Sequence, residues 1–205
     1  MAPRKRLPLI ISVPHSGYKV PGELKKFCIL DLPSILRDAD TWAEHLYDLK
    51  NHAPAYFHFK IARAIIDLNR AADDRPPQNP DGVVKTVTVD GDPVWKDPGG
   101  LDAEQVEFLL HQYYYPYHKH LALASEKRGI KLGLDCHTML EVAPQSSSCP
   151  GEKRPLVCLS NRGDENGEEL DDPLTAPPDL IRALGKALAG SLRISEGLAR
   201  HLLFH

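Results

Sequence analysis

Two histidines of this chain directly follow short apolar runs. Leu7-Pro-Leu-Ile-Ile-Ser-Val13 leads into Pro14-His15-Ser16-Gly17, and Lys131-Leu-Gly-Leu-Asp-Cys-His137 leads into Thr138. Imidazole nitrogen and carboxylate oxygen bind zinc at about 2.0–2.2 Å, and catalytic zinc sites use three protein ligands with one position left for water. His15 and His137 are candidates for two such ligands, and Asp40, at the head of the helical pattern after the first run, is a candidate for the third. Asp135 stands two residues before His137, so alternation along a strand turns both to one face. A histidine at a strand end serves equally as a hydrogen-bonded loop residue, and spacing alone leaves both readings open.

Arg63 with Asn69 and Arg70 forms a second group. A guanidinium meets a carboxylate with a planar fork of donors, and asparagine adds a neutral donor without changing charge. The same arginines can instead pair with Asp67, Asp73 or Asp74. A third group is Tyr113-Tyr-Tyr-Pro-Tyr-His118-Lys-His120, where the aromatics suit core packing, Pro116 predicts a kink, and His118 is placed to line a pocket. Ser16 lacks the G-x-S-x-G turn of a serine nucleophile. Cys136 and His137 are strand neighbours facing opposite sides, so they make no nucleophile–base pair, and Cys136 is expected to be buried.

These side chains need a scaffold that delivers strand ends to one place. Leu7 to Val13 reads as a buried strand, Ala55 to Leu68 as strand material ending at Asp67-Leu-Asn-Arg70, and Val83 to Val89 as a half-exposed strand. Lys131 to His137 is a further strand, and Leu156 to Leu159 another. Helical spacing covers Leu32 to Lys50 around an Asp40-Thr41 start, Leu101 to Arg128 between glycines, and Pro178 to Leu192. Alternating strands and helices imply an α/β domain with a mixed or parallel sheet covered by helices. In open α/β sheets ligands bind at the carboxyl ends of the strands, where His15 and His137 would sit.

At 205 residues the chain suits a single domain, 1–205, and its 42% hydrophobic content supplies a core. The formal charge of -3 and scattered Lys and Arg residues argue against nucleic acid as a partner. No apolar run reaches the roughly 18 residues of a membrane span. The basic start is followed only by a short apolar stretch broken by Pro8, so no signal peptide is read. Four cysteines without CxxC spacing fit a reducing, cytoplasmic setting.

Val13-Pro-His-Ser-Gly17, Arg37-Asp-Ala-Asp40-Thr-Trp-Ala-Glu44, Arg63 with Ile66-Asp-Leu-Asn-Arg70, Tyr115-Pro-Tyr-His118 and Leu134-Asp-Cys-His-Thr-Met139, in this order, resemble the N-formylglutamate amidohydrolase family. The resemblance implies a zinc carboxypeptidase-like α/β fold, with a central mixed sheet flanked by helices, and hydrolysis of N-formylglutamate to glutamate and formate in histidine degradation. It implies zinc, or another divalent ion, on His15, Asp40 and His137. Arg63, Asn69 and Arg70 would hold the substrate carboxylate, with Ser16 and His118 as further substrate contacts and Asp135 supporting the catalytic site. Zinc polarises an amide carbonyl and makes water acidic enough to attack near neutral pH, while a carboxylate carries the proton to the leaving amine. The family continues into a glycine-rich segment and a late strand bearing a glutamate base. Neither is visible before His205, so a fold lacking its C-terminal strands is expected, with Glu141 the nearest replacement base. The alternatives are a non-catalytic relative that binds metal or a carboxylate ligand, and a plain interaction domain. The substrate is expected to be a small N-acyl amino acid; the oligomeric state is left open.

Overall fold

The computed structural model describes residues 6–144, 147 and 149–191. They gather into two compact units, Met1–Met139 and Leu140–His205.

In the first unit β1 (Leu9–Val13) is followed by α1 (Leu32–Asp38), α2 (Ala43–Leu46) and β2 (Ala55–His58). Then come α3 (Ala103–Leu109), a π turn (Leu110–Tyr114), α4 (Tyr115–Ser125) and β3 (Leu132–Asp135). The strands form a three-stranded sheet in the order β2-β1-β3. Both pairings are parallel, with Ile10 opposite Ala55 and Ser12 opposite Asp135, so among the described residues this sheet is parallel and not mixed. Parallel strands need long crossovers, and here helices supply them.

β1 is central, and alternation sorts its side chains. Ile11 and Val13 enter a small core with Ala43, Ala53 and Cys136, which is buried as expected. Ser12 faces the other way, and its Oγ lies 2.8 Å from Tyr117 Oη on α4. A larger core gathers Ile35, Phe59, Ile65, Ile66, Leu68, Val83, Val84, Trp95, Leu109 and Leu110.

Four elements differ from the sequence reading. Leu32 to Lys50 is two helices, because Ala39 is extended (φ -97°, ψ 158°) and leaves Asp40 in the link. Strand pairing after Ala55 ends at His58, although Phe59 N still donates to Val13 O at 3.1 Å. Val83 to Val89 is irregular with one isolated bridge, Val87 to Pro93. Lys85 is drawn fully inside by acidic partners, so the in–out alternation of a half-exposed strand fails there. Leu156 to Leu159 belongs to no named strand; Leu156 is 69% exposed, as a buried strand residue is not.

The long helix behaves as expected at its start, where Asp102 and Gln105 form a capping box. Pro116 cannot donate to the carbonyl four residues earlier, and the π turn ahead of it absorbs the misfit without ending the helix. In the second unit α5 spans Pro178–Ser191; the expected end at Leu192 lies outside the described residues. No helix among the described residues is long and apolar enough to cross a membrane.

Candidate metal centre

His15 leaves the carboxyl end of β1, and His137 leaves that of the adjacent β3. The turn after His15 requires Gly17: a Cβ there would meet Lys60 C at 2.4 Å and Ile61 O at 2.5 Å. Asp40 joins the two because its backbone N–H donates to His15 O at 2.9 Å, tying the α1–α2 link to the β1 turn. His15, Asp40 and His137 thereby offer one ligand atom each, all within 4.8 Å of one another.

Each imidazole has one nitrogen occupied by a second carboxylate. His15 Nε2 lies 2.9 Å from Asp67 Oδ1, and His137 Nε2 lies 3.0 Å from Asp135 Oδ2. Both Nδ1 atoms then turn to Asp40 Oδ2, at 3.9 Å from His15 and 2.8 Å from His137. Ligand atoms about 2.1 Å from a tetrahedral ion stand about 3.4 Å apart, a spacing these two distances straddle. Neutral imidazoles whose far N–H groups donate to carboxylates, together with one carboxylate ligand, are a donor set suited to zinc.

The acids are held in turn. Asp67, with its side chain 1% exposed, also accepts from Arg63 Nε and Asn69 N, both at 2.9 Å. Burial alone would raise its pKa, but His15 and Arg63 outweigh that and hold the carboxyl far below the usual range. Asp135 accepts from Ser12 Oγ at 2.5 Å and from Asn69 Nδ2 at 2.6 Å, and its pKa is lowered because these bonds and His137 overcome desolvation. Desolvation would lower the pKa of His137, but Asp135 and Asp40 raise it to about 9. Burial pushes the Tyr117 hydroxyl well up, so it stays protonated as a partner of Ser12.

Residues 7–198 match the family profile described as N-formylglutamate amidohydrolase. The chain belongs to the N-formylglutamate amidohydrolase family. It is similar to the N-formylglutamate deformylases of Pseudomonas putida, 29% identical over 68% of this chain and 54% of the relative, and of Pseudomonas aeruginosa, 28% identical over 69% and 55%. It thus spans about half the length of these curated relatives. Its fold is similar to the crystal structure of an N-formylglutamate amidohydrolase from Ralstonia eutropha JMP134, with a TM-score of 0.60 and 21% identity over 91% of this chain and 70% of that one. A gene product of Agrobacterium tumefaciens, 16% identical, also gives 0.60 over 96% and 78%.

Within this amidohydrolase-family chain the candidate residues separate by what they touch. Asn69 reaches the cluster directly, its Nδ2 lying 2.9 Å from His137 Nε2. Arg63 stands one step behind His15, bonded through Nε to Asp67. Arg70 is held by Asp81 through Nη2 at 2.5 Å. His118 contacts Leu68 O through Nε2 at 2.9 Å, which supports the segment carrying Asn69 and Arg70; burial lowers its pKa. Ser16 Oγ is buried with no hydrogen-bond partner among the described residues. Glu141 belongs to the second unit, where its carbonyl accepts from Arg154 N.

Asp67, Ser12 and Tyr117 were not singled out for function from sequence. Asp67 carried a signal, since it opens the Asp-Leu-Asn-Arg stretch beside two candidate residues. Ser12 and Tyr117 become visible only once β1 and α4 are packed together.

Proposed function

We propose that the chain is a metal-dependent amidohydrolase of N-formyl or N-acyl amino acids, converting N-formylglutamate to glutamate and formate. The observation that carries this reading is the paired arrangement at the cluster: two imidazoles face Asp40, and a separate acid holds the far nitrogen of each. The names of the Pseudomonas relatives support the substrate. Zinc, the cation this donor set suits, supplies Lewis acidity toward a carbonyl and toward water.

The protein's own residues do the rest. Asp67 and Asp135 fix the tautomer and ring orientation of His15 and His137. Arg70 and Asn69, adjacent on one segment, receive the substrate carboxylate. Arg63 uses Nε for Asp67, leaving its two Nη groups for the substrate. Ser16 Oγ offers an unused hydrogen-bonding group beside His15. Proton carriage to the leaving amine falls to a carboxylate.

The test is zinc content of the purified chain followed by formate release from N-formyl-L-glutamate, with and without chelator. About one zinc per chain is expected, with activity lost on chelation and in His15→Ala. A metal-replete chain that releases neither formate nor free amino acid from any N-acyl amino acid would overturn the assignment.

A further inference from the structure

Lys85 has no exposed side-chain surface, and its amine is enclosed with the carboxylate of Asp38. Its Nζ donates to Asp38 Oδ1 at 3.1 Å and Oδ2 at 3.2 Å. The same nitrogen lies 2.8 Å from Asp81 Oδ1, a close ion pair not aligned as a hydrogen bond. Asp38 Oδ1 also accepts from Val89 N at 2.7 Å, and Asp81 Oδ2 holds Arg70 Nη2. Removing such a set of charges from water is unfavourable, and an apolar side chain of equal volume often stabilises a fold as well or better. Stability therefore does not explain the lysine.

Its position does. Asp38 ends α1 two residues before Asp40, the carboxylate of the metal cluster. Asp81 grips Arg70, the neighbour of Asn69, whose amide touches His137. One ammonium thus spans from the link that carries a metal ligand to the arginine assigned to the substrate carboxylate. We propose that Lys85 is a positioning residue that, through Asp38 and Asp81, fixes the Asp40 link and the Arg70 fork relative to each other. This rests on the roles given above to Asp40 and Arg70. An ion cluster that only holds the fold would change melting temperature and nothing else.

The two arms are separable. In Asp81→Asn, Arg70 loses its ionic anchor while Lys85 keeps Asp38, so KM for N-formyl-L-glutamate rises about tenfold, with kcat within threefold and zinc affinity within twofold of wild type. In Lys85→Met both arms are freed, so KM rises and zinc affinity falls, each by about tenfold, the scale on which supporting groups act at metal sites. Zinc affinity is read by chelator competition on the full chain, and binding of L-glutamate by calorimetry gives the carboxylate arm without turnover. If Lys85→Met does not fold, Asp81→Asn alone decides, because both side chains of the Arg70–Asp81 pair are already more than a third exposed. Wild-type KM and glutamate affinity in Asp81→Asn, or wild-type zinc affinity in folded Lys85→Met, overturns the coupling alone. A wild-type chain that binds neither zinc nor glutamate overturns the proposed function and the coupling with it.

Discussion

Asp67→Asn preserves side-chain volume and removes one charge from the acid behind His15. Asp67 takes three donors, His15 Nε2, Arg63 Nε and Asn69 N, each at 2.9 Å. An asparagine has one oxygen to meet them. With that oxygen toward His15 and Asn69, its amide faces Arg63 Nε, donor against donor; flipped, it faces His15 and Asn69 instead. A lost charge-assisted bond costs about 1.5–3 kcal/mol, and breaking a buried ion pair about 3–5 kcal/mol. Arg63 keeps 22% of its side chain exposed, so solvent takes up part of the loss and about 2–3 kcal/mol is expected. At about 2–4 °C per kcal/mol for a chain of this size, the melting temperature falls by about 4–12 °C. Zinc affinity falls about 10–100-fold, or about 1.4–2.7 kcal/mol, because His15 no longer has its far nitrogen fixed. Thermal melting of the metal-free variant and chelator competition for zinc measure the two effects separately. A variant that melts lower but binds zinc within twofold of wild type would refute the reasoning: Asp67 would then support the fold without orienting the ligand.

Three further outcomes are expected. Gly17→Ala places a Cβ 2.4 Å from backbone and should cost about 2–3 kcal/mol in urea denaturation, whereas Gly22→Ala, with nothing within 4 Å, stays within about 0.5 kcal/mol. Ser12→Ala leaves the half-buried Tyr117 hydroxyl and Asp135 Oδ1 without their shared partner and should destabilise by about 1–3 kcal/mol; Tyr117→Phe, which removes the hydroxyl itself, should cost less. With the His137 pKa raised to about 9 in the metal-free chain, zinc must displace a proton, so its affinity should rise about tenfold per pH unit and level off above about 9. The same shift stabilises the metal-free fold below the unfolded pKa of about 6.5, and that contribution is lost as pH climbs through about 9. Denaturation of chelator-stripped protein across pH 6–10 checks the sign.

The convergence of His15, Asp40 and His137 was legible from the family resemblance together with the two histidines that close apolar runs, because parallel strands bring their carboxyl ends to one side. Period-two alternation places Asp135 and His137 on one face, and the fold brings them to 3.0 Å. What charge does inside a core was not legible. Val83 to Val89 has the alternation of a strand, but Lys85 finds Asp81 four residues away and Asp38 47 residues away, and the distant partner cannot be read from the local pattern it overrides. The break at Ala39 escaped for a related reason: the apolar spacing of Leu32 to Lys50 carries across it, while the backbone bond from Asp40 to His15 that defines the link joins distant parts of the chain. Aromatic density around Pro116 did read correctly as packing, with Tyr113 and Tyr117 edge-on to Phe59.

The hydrogen bond between Asp40 N and His15 O has a bearing on how the protein is made. Synthesis proceeds from the N-terminus, and these two side chains emerge within 25 residues of each other, their segments joined in the fold by that backbone bond. His137 follows only after nearly a hundred more residues have left the ribosome and β3 has docked beside β1. A nascent chain therefore presents a two-toothed claw long before the third tooth exists. On the proposed function, tight capture of the ion would coincide with docking of β3 beside β1, and metal loading would report that the first unit has finished folding.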